Sequence, residues 1–291
     1  MQHMALPTFL IIGAAKSGTT SLHYYLDLHP EIQMSNNKEP NFFAGPENGI
    51  PYAPMRRISR LEEYEELFAS AIPVRGEASP SYTNFPRRRG VPERIKELVP
   101  EAKFIYLVRD PIARTVSHYQ HSVASGGERR SLRVALSDLS DPLLPWTCHS
   151  LYATQLELYL QHFAADRILV VDQAELLANR RAALQDIFAF LSVEPRFDSA
   201  RFDEELFKSS ERRTYPASYA YLVEHVLTPP LQWLPVRIRQ SARGSVERLL
   251  WPRLDKPVLD DVSRVRLENL YAGEVERLRA LTGKTFASWS V

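Results

Sequence analysis

The segment FLIIGAAKSGTTSLHYYLDLHP, Phe9–Pro30, constrains the fold more than any other part of the chain. Phe9–Gly13 is a short apolar run closed by glycine, the pattern of a buried strand. Thr20–His29 reads as a helix that stops before Pro30. Between them Lys16 sits mid-loop between Gly13 and Gly18, with hydroxyls on Ser17, Thr19, Thr20 and Ser21. A strand, a glycine loop and a helix N-terminus together make an anion site. Backbone N–H groups point into the loop, and the helix dipole favours negative charge there. Gly13 and Gly18 let the backbone approach a phosphate closely. In the nucleoside-triphosphate loop G-x-x-x-x-G-K-[ST] the lysine follows the second glycine. Here it precedes that glycine. As a lone motif it is only moderately specific, the alternative being a strand-to-helix turn with a solvated lysine.

The remaining pattern alternates strands and helices. Val74–Ser79, Phe104–Val108 and Arg167–Asp172 read as further strands. Leu61–Ser70, Pro92–Val99, Pro111–Ser122, Ser150–Phe163 and Arg180–Leu191 read as helices, with Asp110 the N-cap of the third. The strands are continuous apolar runs, the mark of a parallel sheet covered on both faces. Beyond about residue 200 the pattern loosens. Leu227–Gly244 is proline-broken, aromatic and basic, and suits a surface loop or a docking surface. Val262–Leu281 carries apolar residues at helical spacing: Val265, Leu267, Leu270, Tyr271, Val275, Leu278 and Leu281. The expected architecture is a P-loop-like three-layer α/β/α fold on a central parallel sheet, plus a mostly helical C-terminal extension. We read 1–291 as one domain, with a core over about 7–222 and the extension over about 223–291.

Composition sets outer bounds. The chain has 291 residues, 44% hydrophobic and 24% charged, with a formal net charge of +1. That balance gives no sign of bulk attraction to nucleic acid or to an anionic membrane. The lone cysteine, Cys148, allows no intrachain disulfide and no thiolate zinc cluster. It fits a buried thiol and a reducing compartment. No run reaches the roughly 20 apolar residues that span a bilayer. The apolar run near Leu6–Ala15 lacks the charged flank of a signal peptide.

A second motif is independent of the first. In FIYLVRDPIARTVSHYQH, Phe104–His121, a buried strand runs to Arg109, and Ser117 lies about two helical turns on. An arginine fork matches phosphate oxygens, and a helix hydroxyl adds a neutral donor. With AAKSGTTSL, this pair resembles the PAPS-dependent sulfotransferases, where PAPS is 3′-phosphoadenosine 5′-phosphosulfate. The first segment looks like their 5′-phosphosulfate loop. Arg109 and Ser117 sit at the spacing that grips the 3′-phosphate in that family. SSERRTYP, Ser209–Pro216, resembles the loop that closes over the same phosphate, with Arg213 at the basic position. The resemblance runs from Phe9 to about Trp289. It is strongest to the heparan-sulfate N- and O-sulfotransferase branch and its bacterial relatives, through NKEPNFF (Asn37–Phe43), GEASPSYTNFP (Gly76–Pro86) and SLYATQLELYLQHF (Ser150–Phe163). Golgi members carry an anchor and often a disulfide, so a bacterial cytoplasmic member is the expectation here.

The resemblance implies sulfuryl transfer from PAPS to an acceptor hydroxyl, with adenosine 3′,5′-bisphosphate released and no metal required. Such an in-line displacement needs a base, a cation at the bridging oxygen and a rigid cradle. Lys16 is the candidate cation. Glu39, in KEPNFF, matches the proposed base of the heparan-sulfate branch, unless it is only a loop partner of Lys38. Glu77 is a second carboxylate of interest. The family often has lysine at the next position; here it is Ala78, which weakens the match to a heparan-like polyanion. His23, His29, His118 and His121 are fallback bases. Lys38, Glu77, Phe42 and Tyr82 are candidate acceptor contacts. Tyr52, Phe43, Phe85 and Trp146 add aromatic surface suited to a lipid or secondary metabolite, whereas Arg87–Arg89 suit a glycan. Two rivals stand. A P-loop kinase or NTPase would use a magnesium-binding carboxylate after a strand, a place Asp110 occupies. A non-catalytic nucleotide-binding protein would keep the fold alone.

Overall fold

The computed structural model describes residues 5–45, 57–68, 71–204 and 257–291. Five strands form one sheet: β1 Phe9–Gly13, β2 Ile32–Met34, β3 Val74–Ala78, β4 Lys103–Val108 and β5 Ile168–Asp172. Their order is β2-β3-β1-β4-β5, and every pairing is parallel. β1 is therefore central, and the C-terminal ends of all five strands lie along one edge. The short edge strand β2 is absent from the sequence reading, because three residues carry too little periodicity to register.

Helices cover both faces. Among the described residues they are α1 Thr19–Leu26, α2 Leu61–Glu65, α3 Val91–Leu98, α4 Pro111–Ala124, α5 Leu132–Ala135, α6 Pro145–Cys148, α7 Tyr152–Leu160, α8 Gln173–Ala178, α9 Arg180–Leu191 and α10 Asp261–Thr282. Strand side chains alternate between two cores. Leu10, Ile12, Phe104, Tyr106 and Val108 face the first, with residues of α3, α4, α7 and α10. Phe9, Ile11, Ile105 and Leu107 face the second, with residues of α1, α8 and α9. This is the three-layer α/β/α arrangement the apolar runs call for, since a parallel sheet stays dry only when both faces are covered.

α10 packs on the first face. Leu267, Tyr271, Val275 and Leu278 are buried, whereas Val265 and Leu281 stay largely exposed. The buried stripe is thus narrower than the apolar spacing alone suggests. The Tyr271 hydroxyl lies 2.7 Å from Thr115 Oγ1 on α4. Thr154 on α7 donates to Glu274 through its backbone N–H (3.1 Å) and its hydroxyl (2.7 Å). Among the described residues, no helix is long and apolar enough to cross a membrane. Leu227–Gly244, Tyr52 and the Ser209–Pro216 loop with Arg213 lie outside the described residues.

Candidate active site

The C-terminal edge of a parallel sheet gathers loops from several strands, and Lys16, Glu39 and Arg109 lie in the segments that follow β1, β2 and β4. The loop after β1 enters α1 at Gly18, which holds φ 98° as the helix N-cap. The N–H groups of Thr19, Thr20 and Ser21 lie in the first turn, where a helix has no internal partner for them. At Gly13 a side chain would collide with its neighbour: an added Cβ would lie 2.0 Å from Thr83 Oγ1. Thr83 itself donates to Ile12 O at 3.0 Å, which ties the turn after β3 to the root of the loop.

Two guanidinium groups hold the loop from behind. Arg109 Nη1 donates to Lys16 O (3.3 Å), and Arg114 Nη1 donates to Ala15 O (3.3 Å). In a planar trans peptide the N–H points away from the C=O. Pulling Ala15 O toward Arg114 therefore turns the Lys16 N–H toward the opposite side. Tyr152 fixes the Arg109 backbone, donating to Arg109 O (2.7 Å). Arg114 has no exposed surface. Its other contacts are neutral: Ser150 Oγ, Trp146 O and His118 Nδ1. Neither arginine pairs with a carboxylate among the described residues. A buried cation without a counter-charge is costly unless something else balances it, and among the described residues the carboxylate that acts on Arg109 is the neighbouring Asp110, through space and without a direct ion pair.

Sequence reasoning missed Arg114. Its spacing from Asp110 on a helix looks like an i,i+4 surface pair. Asp110 is instead engaged elsewhere: Oδ1 caps α4 at Ala113 N (2.7 Å), and Oδ2 accepts Ser290 N (2.5 Å) and Ser290 Oγ (2.6 Å). Asp172, after β5, likewise caps α8 at Ala174 N (3.0 Å) and accepts Trp289 Nε1 (3.2 Å). The carboxylates that end the strands are thus structural. Among the described residues no group of three or more acidic, histidine or cysteine side chains converges as a metal site. Ser117 lies on α4 and is buried, in the Arg109 motif as expected.

Glu39 lies across the end of β3. Its N–H donates to Ala78 O (3.2 Å), and its carbonyl accepts from Asn41 Nδ2 (2.6 Å). Its carboxylate pairs with Lys38 and is 47% exposed. Lys16, Glu39 and Asn41 all hold positive φ (72°, 63° and 55°) without being glycine. Such conformations cost of order 1–3 kcal/mol each and cluster at functional sites. Both candidate catalytic residues are among them.

Other expectations need correction. Glu77 and Tyr82 do not present themselves to an acceptor. Both are buried, and the Glu77 carboxylate accepts from Tyr64 (3.0 Å), Ser79 (2.6 Å) and Tyr82 (2.6 Å) hydroxyls. Burial pushes the Glu77 carboxyl up to about 7, against three hydroxyl donors that pull it down. Phe43 and Trp146 are core residues too. Phe42 is half-buried and stacks on Tyr64 at 4.2 Å. His118 is a poor base. Burial and then Arg114 hold it well below the usual imidazole range. Because Arg114 only donates, His118 Nδ1 accepts and its proton sits on Nε2. His29 is structural, bonded to Glu194 O (3.0 Å) and the Glu31 N–H (3.1 Å). Cys148 is a buried thiol, pushed up to about 11 by desolvation.

The model of the Sulfotransferase family matches residues 7–198, which includes every strand and the loop, Arg109 and Glu39. The chain belongs to that family. Among its sulfotransferase relatives, bovine (Bos taurus) bifunctional heparan sulfate N-deacetylase/N-sulfotransferase 2 is 30% identical over 229 residues, covering 69% of this chain and 24% of that protein. The membrane-associated sulfotransferase kil1 of Dictyostelium discoideum is 37% identical over 121 residues, covering 41% of this chain and 24% of that protein. The chain therefore spans about a quarter of the length of these relatives. The crystal structure of a sulfotransferase from Alicyclobacillus acidocaldarius superposes with a TM-score of 0.72 at 25% identity, covering 99% of this chain and 100% of that one.

Proposed function

We propose that this sulfotransferase takes its sulfuryl group from PAPS and delivers it to an acceptor hydroxyl, releasing adenosine 3′,5′-bisphosphate. The observation that carries this reading is the grip of Arg109 on the Lys16 carbonyl. It puts the two independent sequence motifs in contact, which supports reading them as one site. The loop after β1, with Lys16, Ser17, Gly18, Thr19, Thr20 and Ser21, holds the 5′-phosphosulfate. Arg109 and Ser117, with Arg213, hold the 3′-phosphate. PAPS supplies an electrophilic sulfur with a phosphate leaving group.

The chain supplies the rest. The acceptor oxygen bonds to sulfur as the bond from sulfur to the phosphate oxygen breaks. Glu39 takes the acceptor proton, and Lys16 with the first-turn N–H groups stabilises the charge left on phosphate. The chemistry needs no metal, because the leaving phosphate is already a good anion. Lys38, beside Glu39, faces the acceptor. The names of the heparan sulfate relatives favour a carbohydrate acceptor, ahead of a lipid or a secondary metabolite. Transfer of ³⁵S-sulfate from labelled PAPS to a panel of desulfated glycosaminoglycan, cerebroside and phenol tests the reading. Labelled product with any of them, lost in Lys16→Ala, supports it. Labelling by [γ-³²P]ATP instead, in the presence of magnesium, contradicts it.

A further inference from the structure

Glu77 is fully buried and pairs with no cation among the described residues. A buried carboxylate of this kind is costly, and a neutral side chain of similar shape would pack as well. What the carboxylate adds is direction. An ionised carboxylate only accepts, so each hydroxyl beside it must donate inward and turn a lone pair outward. Ser79 Oγ donates to Glu77 Oε2 at 2.6 Å and accepts the Asn41 N–H at 3.1 Å. The Tyr82 hydroxyl donates to Glu77 Oε1 at 2.6 Å and accepts the Phe43 N–H at 3.2 Å. The third donor, Tyr64, stacks on Phe42.

Both relays therefore end on the turn that carries Glu39. Asn41, held by Ser79 through its N–H and by Ser81 through its Oδ1 (2.6 Å), in turn grips the Glu39 carbonyl at 2.6 Å. The positive φ of Glu39 and Asn41 persists only if surrounding contacts enforce it. We propose that Glu77 is a positioning residue for Glu39, acting through Ser79 and Tyr82 to hold the 39–43 turn over the end of β3. This rests on Glu39 being the base.

The ionisable groups that face Glu77 are Tyr64 from α2, Tyr82 from the turn after β3, Tyr159 from α7 and Glu39 from the opposite turn. All three tyrosines are held well above the ordinary phenol range, first by burial. Burial pushes the Glu77 carboxyl up to about 7, far below those three phenols.

The test has two arms. In the first, amide hydrogen exchange is followed in wild type, Ser79→Ala and Tyr82→Phe. Exchange at Asn41 in the first variant and Phe43 in the second should quicken at least about tenfold, with α4 amides unchanged. Unchanged exchange at both overturns the proposal whatever the protein transfers. In the second arm, turnover is read as adenosine 3′,5′-bisphosphate release from PAPS with the acceptor found above. Glu77→Gln should lower kcat about tenfold, leave KM for PAPS within about twofold, and abolish the fall in wild-type rate as pH drops below about 7. Ser79→Ala should repeat the kcat loss. An unchanged kcat, or equal losses of kcat and nucleotide affinity, overturns the proposal. Wild type that binds no adenosine 3′,5′-bisphosphate defeats the functional reading instead, and leaves the exchange arm to decide this one.

Discussion

A carboxyl held near neutrality inside a protein shows in the pH dependence of stability. Glu77 is raised from 4.5 to about 7 by burial, so between those values the folded state holds a proton the unfolded state has lost. Stability must then fall as pH rises from about 4.5 to 7 and level off above. The contribution is on the order of 3 kcal/mol. Denaturant titrations across that range should show the slope in wild type and a much flatter one in Glu77→Gln; equal slopes would contradict the burial argument. Lys16→Ala should lower turnover about 10²–10³-fold, the loss expected when charge stabilisation leaves a reacting oxyanion. Lys16 and Arg109 were legible in the sequence because each lies at a fixed place in a strand–loop–helix motif. The inward turn of Arg114 and the burial of Glu77 among three hydroxyls were not. Both depend on which way a side chain turns, and a spacing of four residues suits a surface pair as well as an inward arginine.

At the scale of elements, the loop after β1 is fixed by close approach. Gly13→Ala would drive a methyl into Thr83 and should cost about 1–3 kcal/mol by thermal or denaturant unfolding. The N-cap of α4 joins two parts of the chain. Asp110→Ala removes the cap and both contacts to Ser290, and should lower stability by about 1–2 kcal/mol. A loss much smaller than that would mean the cap is not formed. The core strands β1, β4 and β5 were legible within a residue because they are buried apolar runs. β2 and the short helices α5 and α6 were not, since three or four residues carry no readable period. Tyr82, Phe43 and Trp146 look alike in sequence whether they line a cleft or fill a core; packing alone decides that they fill it.

Across the whole molecule, one sheet edge collects groups from four stretches of chain. α10 belongs to the same body, because its buried stripe completes the core behind α4 and α7. Leu267→Ala should therefore destabilise the entire domain by about 2–5 kcal/mol in a single transition, rather than release the C-terminal helix alone. The layered class was legible from strand and helix alternation, while the strand order, which sets β1 at the centre, was not. The most direct test of the account is a calorimetric titration with adenosine 3′,5′-bisphosphate, beside ATP and adenosine 5′-monophosphate, on wild type and Arg109→Ala. The account predicts bisphosphate binding that ATP does not match, weakened at least about tenfold in the variant. ATP binding as well or better, or a variant indistinguishable from wild type, would contradict it.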